Sequence, residues 1–232
     1  MRTRELREEV FRANLALADA GLVVLTWGNA SGIDHDLGLV AIKPSGVSYA
    51  ALTPENLVVV DLDGNIVEGS LRPSSDLPTH LELYRAWSGI GGVVHTHSIY
   101  GTAFAQAASS IPCYGTTHAD FCPGGIPCVR ALTEDEVDSG YEGNAGKSII
   151  EHYREKNLKP LEYPGALLSH HGPFAWGKNA AKAAENALIL ESVAKMAFLT
   201  RELRPDSKAI PGYIVDKHYL RKHGPNAYYG QN

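Results

Sequence analysis

The sequence predicts an α/β fold in which a mixed or antiparallel sheet is covered by helices. One helical pattern opens the chain, a long one lies near its end, and many short strand patterns lie between them. Several of these strands are joined by hairpin-like links, which are too short for the crossovers of a regular βαβ array. The chain has 232 residues, no internal repeat and no Pro/Ser-rich linker, so a single domain over residues 1–232 is predicted.

The elements follow in chain order from hydrophobic periodicity and from start and stop residues. A first helix is predicted from about Arg4 to Ala20, closed by Gly21. Further helices are predicted from Ser75 or Asp76 through Trp87, from Ser98 to Ala108, from about Ala145 to Glu155, and from Lys178 to Glu202. Strands are predicted at Leu22–Thr26, Leu39–Ile42, Leu57–Asp61, Ile66–Glu68, Gly91–His97 and Ala166–His171, and near Cys113 and Cys128.

Composition limits the classes of partner. The net charge of −5 gives no general attraction to nucleic acid or to an anionic membrane, so an anionic substrate needs a local site. No segment has the length and apolarity of a signal peptide or a membrane span. The three cysteines are odd in number and match no disulfide framework, which predicts a reducing, cytoplasmic setting.

Two histidine pairs are candidates for a metal site. Residues two apart on a strand face the same side, so His95 and His97 would present two imidazoles together, although two surface histidines remain the alternative. His171 ends a predicted strand and is a plausible loop-edge ligand, whereas His170 faces the other way. Asp76 is either a helix N-cap or a fourth ligand. Three histidines with an exchangeable position are typical of catalytic zinc sites.

Three short segments have the composition of anion-binding turns. They are Gly28-Asn29, Ser45-Gly46 and Ser74-Ser75, and Lys43 lies beside the second. Backbone N–H groups and hydroxyls at strand ends and helix starts bind oxyanions. Each segment taken alone is better read as an ordinary turn or cap, and it is the occurrence of three that favours an anion site.

These motifs together resemble the class II aldolase/epimerase family. The resemblance is carried by the strings LTWGNAS (25–31), IKPSGV (42–47), RPSSDLPTH (72–80), VHTH (94–97), TTHAD (116–120), HGPFAWG (171–177) and DKHYLRKHG (216–224). It runs nearly end to end and is closest to the sugar-phosphate 4-epimerases of that family. One departure is the order Ser169-His170, where a member of the family has His-Ser before the last ligand.

The resemblance implies a three-layer α/β/α fold with a central, largely antiparallel sheet, and a homotetramer with four-fold symmetry and active sites between subunits. It assigns the metal ligands Asp76, His95, His97 and His171, and the substrate phosphate contacts Gly28, Asn29, Ser45, Gly46, Ser74 and Ser75, beside Lys43. It assigns Asp120 as one acid/base residue and Tyr229 of a neighbouring chain as the other, with His218 as a further candidate from that neighbour's tail (about 212–232). The implied metal is Zn²⁺, with Mn²⁺ or Co²⁺ as substitutes.

The implied activity is the interconversion of L-ribulose 5-phosphate and D-xylulose 5-phosphate by retro-aldol cleavage and re-addition, in L-arabinose breakdown or in the L-ascorbate or L-xylulose routes. A class II aldolase acting on L-fuculose 1-phosphate is the alternative. Asp76 favours the epimerase, because the aldolases have Glu after the Pro-Ser-Ser string. A non-catalytic zinc protein is a further alternative, but such sites usually have Cys ligands, and this one has none.

Overall fold

The computed structural model describes residues 2–229, in which an eight-stranded sheet forms the centre. The strands are β1 (Asn29–Asp34), β2 (Leu39–Ile42), β3 (Val58–Asp61), β4 (Ile66–Glu68), β5 (Gly92–His95), β6 (Cys128–Val129), β7 (Gly165–Leu168) and β8 (Gly172–Gly177). Their spatial order is β4-β3-β2-β1-β5-β8-β7-β6. Only β6 and β7 pair in parallel, so the predicted largely antiparallel sheet is confirmed for the described residues.

Helices cover both faces of this sheet. They are α1 (Arg2–Asp19), α2 (Leu77–Ala86), α3 (Ile99–Gln106), α4 (Thr116–Ala119), α5 (Glu134–Glu155), α6 (Ala180–Leu203) and α7 (Gly212–His223). Val58 and Val60 point into a buried cluster shared with α2 and α5, whereas Val59 between them points into a second cluster shared with α1 and α6. The alternation of side chains along each strand thus supplies two cores, one on each face.

The register of the central strands sets the position of the candidate ligands. β1 pairs with β2 through Ser31 opposite Ile42, and with β5 through Asn29 opposite His95. The beginning of β1 and the ends of β2 and β5 therefore lie at the same edge of the sheet. Asn29, His95 and the segment that follows Ile42 meet there.

Some predicted strands are wrong in extent or existence. Leu22–Thr26 forms no strand: Leu25 has φ 56°, and the first strand begins only at Asn29. The predicted strand Gly91–His97 ends at His95, so His97 lies in the following turn. Near Cys113 there is only an isolated bridge between Ile111 and Ile126.

Other elements are longer than predicted or were not predicted. β8 was missed because all six of its residues are buried, so it shows no alternation of apolar and polar positions. α5 begins at Glu134, capped by Thr133, about three turns before the predicted start, and continues past Gly140, which is not helical. α7 occupies much of the predicted tail, whose residues 230–232 lie outside the described residues.

None of the helices within residues 2–229 is long and apolar enough to cross a bilayer. All three cysteines are unpaired, in agreement with the absence of a disulfide framework from the sequence.

Candidate active site

A cavity of about 430 Å³ opens at the sheet edge where β1, β2 and β5 meet. It brings together every residue that the sequence analysis assigned to the metal and to the phosphate. They are Gly28, Asn29, Lys43, Ser45, Gly46, Ser74, Ser75, Asp76, His95, His97 and His171. The cavity is also lined by Thr26, Trp27, Pro44, Tyr141 and Glu142, for which the sequence analysis assigned no role.

His95 is buried at the end of β5, and its orientation is fixed. Its Nδ1 lies 3.0 Å from the carbonyl oxygen of Pro173, which can only accept a hydrogen bond, so Nδ1 carries the hydrogen. Nε2 therefore presents a lone pair, and it lies 3.0 Å from Nε2 of His97. The ring also stacks on Phe174 at a centroid distance of 4.2 Å.

His171 completes a cluster of three imidazoles. Its ring centroid is 4.6 Å from that of His95 and 5.2 Å from that of His97. His170 has φ 63°, and this left-handed residue turns the chain between β7 and β8 so that His171 faces the cavity while His170 is exposed. The structure thus separates the two adjacent histidines as the sequence analysis predicted.

The three histidines have the donor set of a divalent metal site. One ligand atom of each lies within 4.8 Å of the others. Burial lowers the pKa of His95 to about 3 and also lowers the pKa of His171, so both rings are neutral at physiological pH and can donate lone pairs. Borderline ions such as zinc prefer neutral imidazole nitrogens. The arrangement therefore fits a metal ion held by His95, His97 and His171.

Asp76 lines the same cavity but is not part of this cluster of donor atoms. Its Oδ2 accepts a hydrogen bond of 2.6 Å from Asn29 Nδ2. Burial raises the pKa of Asp76, but the nearby His95 and His80 together with Asn29 outweigh burial and hold it below its usual value. Asp76 precedes α2, but its side chain makes no capping hydrogen bond, so the N-cap alternative does not describe its role.

Asn29 links the candidate metal region to the candidate anion-binding turns. Its amide nitrogen donates to Ser74 Oγ at 3.0 Å as well as to Asp76. Its oxygen is buried and has no partner among the described residues. Ser74 Oγ accepts from Asn29 and from the backbone N–H of Asp76, so its own hydrogen remains free for an anion.

The two serine turns are joined by their backbones. Pro44 and Pro73 form an isolated antiparallel bridge. The N–H of Ser45 donates to the carbonyl of Arg72 at 2.9 Å, and the N–H of Ser74 donates to the carbonyl of Lys43 at 3.0 Å. Turns that are distant in the sequence are thereby held on one wall of the cavity. Gly46, with φ 72°, gives the first of them its left-handed bend.

Lys43 supplies a buried cation on this wall. It is 1% exposed, its Nζ contacts the carbonyl oxygens of Thr26 and Pro44, and it lies 4.9 Å from the centre of the Tyr49 ring. Within residues 2–229, no carboxylate lies within ion-pair distance of Lys43 Nζ. Burial lowers the pKa of this lysine. A buried ammonium without a carboxylate is costly, so an anionic ligand is its natural partner.

Gly28 is required where the chain passes behind the histidines. Its φ is 82°, and a Cβ there would lie 2.9 Å from Val23 Cγ1 and 3.0 Å from the carbonyl oxygen of His95. The Tyr49 hydroxyl donates to the Gly28 carbonyl at 2.8 Å and so fixes this turn. Tyr49 therefore supports both Gly28 and Lys43.

The predicted acid/base residues are together, but none of them lines the cavity. Asp120 Oδ1 lies 3.1 Å from His218 Nδ1, and its carboxylate accepts two hydrogen bonds from Arg221, at 3.0 and 2.6 Å. Burial raises the pKa of Asp120, but hydrogen bonds from Arg221 and His218 outweigh this and hold it below its usual value. The exposed Tyr229 ring lies 4.8 Å from the Arg221 guanidinium.

This arrangement differs from the sequence-based assignment in one respect. The sequence analysis took Tyr229 from a neighbouring chain but attached no such condition to Asp120. In the structure, Asp120 binds His218 and Arg221 of its own chain, so these residues form one group, here called the tail cluster (Asp120, His218, Arg221 and Tyr229).

Tyr141 and Glu142 were missed because they lie in a polar, glycine-containing segment without periodicity. The signal that could have found them is Gly140, which interrupts α5 with φ 138° and ψ 83°. The residues that follow this break turn towards the cavity. The Glu142 carbonyl is held there by the Thr79 hydroxyl at 2.6 Å.

Known proteins resemble this chain along nearly its whole length. It is 54% identical over 228 residues to L-ribulose-5-phosphate 4-epimerase UlaF from Salmonella paratyphi C (strain RKS4594), a match that covers 98% of this chain and 99% of that protein. The UlaF protein of Salmonella choleraesuis (strain SC-B67) matches to the same extent. The solved structure of an L-fuculose 1-phosphate aldolase superposes with a TM-score of 0.78 at 24% identity, covering 94% of this chain and 95% of that one, and shares the fold. Residues 8–198 match the family described as Class II Aldolase and Adducin N-terminal domain, and the chain belongs to this family.

Proposed function

We propose that the protein interconverts L-ribulose 5-phosphate and D-xylulose 5-phosphate as a metal-dependent 4-epimerase. The observation that carries the proposal is that one cavity holds the three-histidine cluster beside two anion-binding turns and a buried lysine. Identity of 54% to relatives named L-ribulose-5-phosphate 4-epimerase supports the same substrate.

Direct deprotonation at C4 is difficult, because C4 is not adjacent to the C2 carbonyl and its hydrogen is not acidic. A retro-aldol route avoids this difficulty. A base takes the proton of the C4 hydroxyl, and the C3–C4 bond breaks to give the enediolate of dihydroxyacetone and glycolaldehyde phosphate. The aldehyde rotates and is attacked on its other face, which inverts C4.

His95, His97 and His171, with Asp76 as a fourth ligand, are proposed to hold a zinc ion. When bound, the ion supplies Lewis-acid polarisation of the substrate carbonyl. Manganese or cobalt are proposed substitutes.

The anion-binding wall is proposed to retain the phosphorylated fragment. Lys43 supplies the charge, and Ser45, Ser74 and Ser75 with the Gly46 turn supply hydrogen-bond donors. Holding the phosphate while the aldehyde turns keeps the two fragments within reaction distance. The side-chain amide nitrogen of Asn29 already donates its two hydrogens to Ser74 and Asp76. A direct contact of this nitrogen with phosphate would therefore require one of these two hydrogen bonds to break.

The proton-transfer residues are proposed to come from a second copy of the chain. Asp120 and Tyr229 belong to one tail cluster that lies outside the cavity, so a neighbouring copy would deliver them together with His218. We therefore propose that the chain, a single domain, assembles into a homotetramer whose active sites lie between subunits. The three-layer α/β/α architecture that the resemblance implies is also part of the proposal.

Purified protein incubated with L-ribulose 5-phosphate tests the function. We expect D-xylulose 5-phosphate to form, and its formation to stop when a chelator removes the metal and to return on adding Zn²⁺. The variant His97→Asn removes one candidate metal ligand, so it should be as inactive as the chelated protein. Net release of glycolaldehyde phosphate would instead indicate an aldolase, and turnover that resists chelation would refute the metal-dependent mechanism.

A further inference from the structure

Tyr141 contacts the ring of His171 from the segment that follows the break in α5. Its hydroxyl oxygen is 2.8 Å from His171 Nδ1, and the two ring centroids are 5.6 Å apart at an interplanar angle of 34°. Tyr141 also lines the cavity. We propose that Tyr141 is a positioning residue, which fixes the tautomer and the ring orientation of His171 so that its Nε2 is directed at the metal. The inference rests on the proposed metal site.

The hydrogen-bond pattern explains why a positioning residue is needed at this histidine. His95 already has a backbone carbonyl on its Nδ1, the oxygen of Pro173. For His171, it is the Tyr141 hydroxyl that occupies this place. A histidine that ligates through one nitrogen commonly donates its other N–H to an oxygen, which fixes the tautomer and raises the basicity of the ligating atom. The Tyr141 hydroxyl can donate or accept, and where it accepts from Nδ1–H, Nε2 is left as the lone-pair donor.

The backbone places Tyr141 with precision despite its position on a polar segment. Gly140 breaks α5 immediately before it, and the next residue, Glu142, is tied through its carbonyl oxygen to the Thr79 hydroxyl on α2 at 2.6 Å. Helix α2 starts directly after Asp76. One helix therefore anchors both the candidate carboxylate ligand and the segment that orients His171.

The test is the variant Tyr141→Phe, which keeps the ring and removes only the hydroxyl. The matched control is Tyr153→Phe on the same helix, which deletes a buried hydroxyl bonded to the carbonyls of Tyr163 and Gly165, outside the cavity. The affinity for Zn²⁺ is measured by competition with a chromophoric chelator. We expect the zinc dissociation constant to rise about 10- to 100-fold in Tyr141→Phe, the range typical for loss of a partner of a metal-bound histidine, and to stay at the wild-type value in Tyr153→Phe.

The ¹⁵N chemical shifts of the imidazole nitrogens in the zinc-free proteins give a second readout. In the wild type we expect His171 to carry its hydrogen on Nδ1, and in Tyr141→Phe to populate both tautomers. Wild-type zinc affinity and an unchanged tautomer in Tyr141→Phe would overturn the inference, as would an equal loss of affinity in both variants. Zinc binding by the wild type without epimerase activity would contradict the proposed function alone.

Discussion

At the scale of single residues, Lys43 carries a positive charge in the cavity that a bound anion would neutralise. Lys43 is buried against the Tyr49 ring and backbone carbonyls, and no carboxylate of the described residues pairs with it. The energetic cost of this ammonium falls when an anion occupies the neighbouring serine turns. Burial of Lys43 is therefore consistent with the proposed substrate binding rather than with a contribution to stability.

Replacing Lys43 by methionine should weaken phosphate binding while leaving the metal in place. A hydrogen bond to a charged group is worth about 1.5–3 kcal/mol, so KM should rise about 10- to 100-fold. Inhibition by inorganic phosphate should weaken by the same factor, and bound zinc should not change. Lys182→Met, which removes an exposed ion pair with Glu185, is the control and should leave KM unaltered. An unchanged phosphate inhibition constant in Lys43→Met would contradict the assignment.

We expect His118 to give the stability of the fold a pH dependence. Burial lowers its pKa to about 4, although the nearby backbone of Pro112 and Gly124 partly opposes this. The unfolded chain binds a proton near pH 6.5, whereas the folded protein does not until about pH 4. The stability that this residue contributes is therefore complete above about pH 6.5 and is lost as the pH falls towards 4.

Binding of one proton by the unfolded chain alone changes the free energy of unfolding by about 1.4 kcal/mol for each pH unit. We therefore expect His118 to lower the free energy of unfolding by about 2 kcal/mol between about pH 7 and pH 5. In the variant His118→Asn, the free energy of unfolding should fall by about 2 kcal/mol less than in the wild type over the same pH interval, as measured by urea denaturation. His170→Asn is the control, because His170 is exposed and asparagine tolerates its left-handed φ. Identical pH profiles for His118→Asn and the wild type would exclude His118 as the source.

Elements that show a clear pattern could be predicted from the sequence, and those without one could not. α1, β2 to β4 and α6 were located closely because they have periodicity, a Gly stop or an Asp-Gly turn. β8 is buried along its whole length, and the segment 22–26 is apolar yet turns, so pattern alone misassigned both.

The residues that line the cavity were predicted more completely than the elements of the fold, because they occur in short strings that resemble those of a known family, whereas their roles stay predictions. Two of its features could not be predicted: the register that places Asn29 opposite His95, and the non-helical Gly140 that brings Tyr141 to His171. Both depend on contacts between segments that are distant in the chain. The grouping of Asp120 with α7 is of the same kind.

The break in α5 should be sensitive to any side chain at Gly140. Its φ of 138° is a conformation that other residues rarely adopt, although no atom from a distant part of the chain lies within 4 Å of the position of a Cβ. Gly140→Ala should therefore destabilise the fold by about 1–3 kcal/mol through backbone strain alone. It should also weaken zinc binding, because Tyr141 moves.

Gly143→Ala is the matched control, since Gly143 lies in the same helix with open space around its Cβ position and no positive φ. This change should be neutral or stabilising by up to about 1 kcal/mol. Urea denaturation and chelator competition measure both effects. If the two variants have the same free energy of unfolding and the same zinc affinity, alanine adopts the conformation at position 140 without strain.

At the scale of the whole molecule, the chain carries two chemically distinct groups, and the tail cluster contributes no residue to the wall of the cavity. The cavity holds the histidines and the anion-binding turns, whereas the tail cluster holds the candidate proton-transfer residues. Leu220 on α7 and Tyr228 just after it are also exposed. Under the proposed assembly, each active site takes one group from each of two copies.

Two inactive variants should therefore restore one another. His97→Asn disables the cavity and Asp120→Asn disables the tail cluster, so each homo-oligomer should lack activity while Asp120→Asn retains its zinc. Co-expressed as mixed oligomers, they should recover about a quarter of the wild-type activity if the copies assort at random. Two variants of the same group, His97→Asn with His95→Asn, should recover none. Failure of the first pair to recover activity would place both groups at the site of one chain.

The proline pair that joins the serine turns has a consequence for self-association. Pro44 and Pro73 face one another in the bridge, and neither has an N–H to offer to a further strand. A free backbone N–H at this end of the strands could otherwise pair with an incoming peptide or with another strand edge. The two prolines end strand pairing at this wall of the cavity, so a neighbouring copy could supply side chains to the entrance but could not extend the sheet across it.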